Sequence, residues 1–78
     1  MITGQIKLSN DMEIVKRFNL AMNQLTCDVD LKQGRYVIDG KSIMGMFSLN
    51  LLEPIFIMLH TDDEMEIEPV KEYLDKYA

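Results

Sequence analysis

The period of the apolar positions changes several times along the chain, and each change marks an element. Ile2, Gly4, Ile6 and Leu8 alternate with Thr3, Gln5 and Lys7, so residues 2–8 predict a strand with one buried face. Ser9-Asn10-Asp11 stops it. Asn10 and Glu13 have the spacing of a capping box, with Asn in place of the usual Ser or Thr. Ile14, Val15, Phe18, Ala21, Met22 and Leu25 then recur at helical spacing, with Lys16, Arg17, Asn19 and Asn23 between them. This predicts a helix of roughly three to four turns that ends near Gln24.

Cys27, Val29 and Leu31 alternate with Asp28, Asp30 and Lys32, which predicts a second strand. Gln33-Gly34 makes the turn, because Gly accepts the positive φ of tight hairpins. Arg35 to Ile38 is the third strand, rich in Tyr and β-branched residues, and Asp39-Gly40 ends it. Ser42 to Leu49 predicts a short helix with Ser42 as its N-cap. Asn50 to Pro54 is a loop. Ile55 to Leu59 is apolar on both faces, as a central strand is. Acidic residues lead into a last helix, with Pro69 in its first turn and Val70, Tyr73, Leu74 and Tyr77 as its buried stripe. The order is βαββαβα. It implies an α+β fold, an open-faced two-layer sandwich in which a four-stranded antiparallel sheet carries its helices on one face. Residues 1–78 form a single domain in this scheme.

Composition narrows the class. A chain of 78 residues with 47% apolar content can bury one modest core. The apolar run Ile55–Leu59 is too short to span a bilayer. The N-terminus has no basic segment followed by an apolar one, so no signal peptide is expected. Cys27 is the single cysteine and cannot staple a secreted domain. Together these imply a cytoplasmic protein. The net charge is −5, unevenly spread: residues 1–45 carry six basic and five acidic side chains, and residues 46–78 carry two and eight. Such a balance disfavours nucleic-acid phosphates as partners. Asp62-Asp63-Glu64 is expected to be a solvated loop.

Most candidate chemistries fail on spacing. Gly34 to Ser42 ends in Gly-Lys-Ser, but five residues separate its glycines where a phosphate loop has four. Tyr36, Val37 and Ile38 are also strand material, whereas a cradle needs a flexible loop. His60 and Cys27 are single, so no metal pair forms. No nucleophile–base arrangement is signalled either. Cys27 alternates with buried residues and packs as a small apolar group. No cofactor is called for.

The segment Gly40-Lys41-Ser42-Ile43-Met44-Gly45-Met46-Phe47-Ser48-Leu49 is different. It resembles the regulatory-serine segment of the HPr phosphocarriers of bacterial sugar phosphotransferase systems, and the element order and loop lengths agree over nearly the whole chain. The resemblance implies a non-enzymatic protein phosphorylated on Ser42 by HPr kinase. Ile43 and Met44, with Phe47, would be gripped by partners. HPr kinase, enzyme II domains and a catabolite-control regulator are the partners it suggests, with a monomeric state. An exposed apolar patch beside a helix start suits such contacts.

One departure is as informative. HPr carriers have Gly-Leu-His-Ala-Arg-Pro-Ala after the first strand, and the histidine carries the phosphoryl group. Counted back from Ser42, that position is Asp11, the arginine position is Glu13 and the proline position is Ile14. The imidazole nucleophile is gone, and an acid stands where a cation would neutralise phosphate. Asp11 is first of all a favourable carboxylate at a helix start. With Glu13 it also imitates the charge of a phosphorylated carrier. Two alternatives to a regulatory adaptor follow: an acyl phosphate on Asp11, and an HPr-fold binding module outside the sugar system.

Overall fold

The computed structural model describes all 78 residues. The elements are β1 (Ile2–Ile6), α1 (Met12–Asn23), β2 (Val29–Gln33), β3 (Tyr36–Asp39), α2 (Ile43–Phe47), β4 (Ile55–Leu59), α3 (Glu64–Ile67) and α4 (Lys71–Lys76), with a 3-10 turn at Glu68–Val70. The four strands form one antiparallel sheet in the order β1-β4-β2-β3. The expected βαββαβα order therefore stands, with the last helix delivered in three short pieces. β4 is central: Gly4 faces Ile57 on one side, and Leu31 faces Ile57 on the other. No helix is long and apolar enough to cross a membrane.

The register explains the burial pattern. Side chains alternate across a strand, so Ile55, Ile57 and Leu59 share one face with Val29, Leu31 and Ile6. All six are buried. They join Val15, Phe18, Ala21 and Met22 of α1, Met46 of α2 and Val70 of the last helical segment in one core. The opposite face of the sheet is open. Phe56 is therefore exposed, although the two-faced apolarity of β4 pointed only to its central position. Gly34 has φ +59°, the conformation that the β2–β3 hairpin turn requires.

Several local expectations shift. Asp11, not Asn10, caps α1: its Oδ1 accepts from the Glu13 N–H at 2.9 Å, so no capping box spans Asn10 and Glu13. β1 stops at Ile6, and the next N–H, that of Lys7, is turned away from β4 and donates to the Tyr77 carbonyl. Cys27 precedes β2 but is buried, and burial pushes its thiol pKa up, with Glu66 adding to the shift. The segment 62–64 is not merely a solvated loop. Asp63 caps α3 through the Met65 N–H, and the helix begins at Glu64. Pro69 accordingly sits at the start of the 3-10 turn that joins α3 to α4.

Glu66 fastens α3 to the loop before β2. Its carboxylate accepts from the hydroxyls of Thr26 at 2.5 Å and Thr61 at 2.7 Å. These bonds, Thr26 first, hold its carboxyl below the usual glutamate range.

Two outcomes are expected. Phe18 is completely buried, so Phe18→Ala should remove about 3–5 kcal/mol of stability in a denaturant titration. Because the folded-state pKa of Glu66 is depressed, its contribution is present above the ordinary glutamate range and fades as pH falls through that range and below. Thermal melts taken across that window should show a smaller acid-side drop for Glu66→Gln than for the parent chain.

Candidate functional site

α2 has only five residues, too few to hold a helix by backbone bonds alone. Its position is set from both ends. At the start, the Ser42 Oγ accepts from the Gly45 N–H at 3.1 Å, as an N-cap should. At the end, the Ser48 Oγ donates to the Gly45 carbonyl at 2.5 Å. Gly45 leaves room for this arrangement. A Cβ there would lie 3.3 Å from both the Ser42 Oγ and Ile38 Cδ1.

The turn ahead of Ser42 is tied to α1 by amides. Asn23 Nδ2 donates to the Lys41 carbonyl at 3.1 Å and to the Asn19 carbonyl at 2.9 Å. Asn19 is buried and reaches the Gly40 carbonyl at 3.5 Å and Met46 Sδ at 3.6 Å. In the sequence these two asparagines were only the polar spacing of an amphipathic helix. They are in fact the link between α1 and the Ser42 turn. A buried Asn must find partners, but which ones is not written in its periodicity. Lys41 Nζ donates to the Leu25 carbonyl at 2.7 Å, so the ammonium nearest in sequence to Ser42 already has an acceptor.

Ser42 is half-buried. Of the apolar residues expected around it, Met44 is 78% exposed and Phe47 is 40% exposed, while Met46 is fully buried. Ile43 packs half-buried against the core and offers only part of its side chain. Met44 and Phe47 therefore carry most of the accessible apolar surface of α2. Leu20, on the α1 stretch between Asn19 and Asn23, is 64% exposed and adds to the apolar surface of that end of α1. Its place off the buried stripe was the signal that could have found it.

Asp11, Glu13 and Met12 stand exposed at the other end of α1. Lys41 is held at Asn23, and twelve residues of helix separate Asn23 from Asp11. At 1.5 Å per residue that is about 18 Å. Asp11 and Ser42 thus make no contact and stand near opposite ends of α1. Asp11 already uses one carboxylate oxygen as the helix cap, and Glu13 adds a second negative charge in the first turn.

The remaining candidates separate. His60 Nε2 lies 2.7 Å from Asp30 Oδ2, and the His60 backbone N–H donates to the Asp28 carbonyl, which ties the end of β4 to the start of β2. Cys27 is buried and no hydrogen bond joins its thiol to the His60 ring, so they do not form a nucleophile–base pair. Tyr36 to Ile38 are paired in β3, so Gly34–Ser42 is no phosphate cradle.

Solved structures share this architecture. A crystal structure of HPr-C-His from Thermoanaerobacter tengcongensis superposes with a TM-score of 0.78 at 18% identity, covering 97% of this chain and 93% of that one. The phosphocarrier protein HPr from Bacillus anthracis str. Ames gives a TM-score of 0.74 at 17% identity, with 99% and 96% covered. No family model and no curated protein matches the sequence. The resemblance read from the Ser42 segment is therefore matched in three dimensions: over nearly its whole length, this chain has the fold of HPr.

Proposed function

We propose that this protein is a non-enzymatic regulatory or adaptor member of the bacterial phosphoenolpyruvate-dependent sugar phosphotransferase system, acting in the cytoplasm. In this role it presents Ser42 and the exposed side of α2 to protein partners. One observation carries the proposal. On an HPr fold, a serine hydroxyl caps a short helix whose neighbouring Met44 and Phe47 are exposed. A hydroxyl with a single backbone donor offers a modification point, and the adjacent apolar side chains supply area for a weak contact. HPr kinase, enzyme II domains and a catabolite-control regulator are the partners this role entails.

The acceptor for phosphoryl transfer is the weak point of a carrier role. An acyl phosphate on Asp11 would have to form on a carboxylate engaged as a helix cap, beside the charge of Glu13 and with no basic residue in the first turn. Negative charge there suits a helix start but opposes an incoming phosphoryl group. Asp11 and Glu13 are better placed to imitate a phosphorylated carrier surface for a partner.

Two experiments test these points. Incubation with ATP and HPr kinase, followed by mass spectrometry, should add one phosphate to the parent chain and none to Ser42→Ala. An unmodified parent chain removes the switch. For the mimic, Asp11→Asn preserves a cap and removes the charge, whereas Asp11→Ala removes both. Asp11→Ala should cost about 1 kcal/mol of stability, Asp11→Asn close to none, and both should weaken binding to enzyme IIA domains. Unchanged affinity in both variants refutes the charge role.

A further inference from the structure

A different surface stands away from Ser42, at the edge of the sheet. β1 pairs only with β4, so its outer edge is free. Beside it, between β1 and the C-terminal helices, runs a groove of about 370 Å³. Ile57, Leu59, Ile67 and Leu74 contribute apolar walls, and exposed Met65 stands at its lip.

Gly4 sits in the middle of β1 and lines this groove. It occupies an inward-facing position of the strand, between Ile2 and buried Ile6, yet it is exposed. Nothing within the chain requires glycine there. Its φ is not positive, the ladder to β4 runs through it without a bulge, and an added Cβ would meet Ile57 Cγ2 at an ordinary 3.6 Å. A glycine inside a strand weakens it relative to alanine. With bulge, strain and internal crowding removed, the remaining cause is close approach of something from outside.

The free edge indicates what approaches. Successive residues of an antiparallel strand turn their backbone groups to opposite edges. The Lys7 N–H points away from β4, to the Tyr77 carbonyl. Thr3 and Gln5 are in phase with Lys7 and turn their N–H and C=O to that same edge, where no other segment bonds them. An extended segment laid along β1 would pair with these groups, and its side chain opposite Gly4 would enter the groove. The rim sets the charge: Glu64, Glu68 and Asp75 face it against Lys71 alone. We propose that the β1 edge and the groove floored at Gly4 form a docking site for an extended peptide segment of a partner protein, one that alternates apolar with basic residues.

The probe is an array of extended peptides of about eight residues, with Val, Ile, Leu or Phe at alternate positions and Lys or Arg between. Matched arrays replace the basic residues by Glu, or N-methylate the backbone positions that would pair with the edge. On the isotope-labelled chain, saturable amide shifts are expected at Thr3, Gln5 and Leu74, leaving Met44 and Phe47 unmoved. Binding should fall by about tenfold or more with Glu peptides, with N-methylated peptides, and in Gly4→Leu, whose side chain fills the groove. Glu68→Lys gives a second variant that leaves the strand untouched and should weaken basic peptides while favouring acidic ones. The proposal is overturned if no basic peptide gives saturable shifts at this edge, if N-methylation leaves affinity unchanged, or if sedimentation shows a dimer abolished by Gly4→Leu, which would make a second copy the occupant. None of these outcomes depends on phosphorylation of Ser42.

Discussion

Pairing of β4 on both of its edges is the constraint from which the rest of the molecule is built. Ile57 lies between Gly4 of β1 and Leu31 of β2, and with Ile55 and Leu59 it presents a fully buried apolar row to the helical layer. Each such side chain contributes on the order of 1.5–3 kcal/mol by leaving water, a large share of what a domain of this size has in hand. The two-sided ladder fixes register, because a slip of one residue would turn the whole row to solvent. α1 closes over that row with Val15, Phe18 and Met22, and α2 adds buried Met46 and half-buried Ile43.

The weight of the fold thus rests on α1 and the sheet, while α2 is an attachment. Its five residues are anchored by one buried methionine, two caps and the amides of Asn19 and Asn23 in the turn before it. A short element held by so few groups can expose Met44 and Phe47 without endangering the core. The same economy makes Ser42 a sensitive point, since the hydroxyl of this half-buried residue is the cap that starts the helix.

The two ends of α1 carry different chemistry. The first turn is acidic, with Asp11 bonded to the Glu13 N–H, and negative charge is stabilised there by the unpaired N–H groups of the helix. The last turn delivers amide donors to the carbonyls of the neighbouring turn. The acidic residues are thereby coherent with the fold: Asp11 and Glu13 lie where a helix start favours negative charge. Fold and activity are separable, and what the structure shows at position 11 is a helix cap.

Much of this was legible in the sequence by itself. Period-two spacing located β1 and β2, β-branched and aromatic content β3, an unbroken apolar run β4, and helical spacing α1, while the Gly34 turn and the Ser42 cap were local matters of φ and hydroxyl geometry. Boundaries shifted where a distant partner competed with the local pattern. β1 ended at Ile6, where the chain turns its Lys7 N–H to the Tyr77 carbonyl, and Asp11 displaced Asn10 as cap because its side chain, not its neighbour's, faced the Glu13 N–H. Only the tertiary structure decided the sheet order, the exposure of Phe56, the burial of Met46 beside exposed Met44, and the open place at Gly4. Those depend on which surfaces meet across long stretches of chain, and a hydrophobic period states that a face is apolar without saying what covers it.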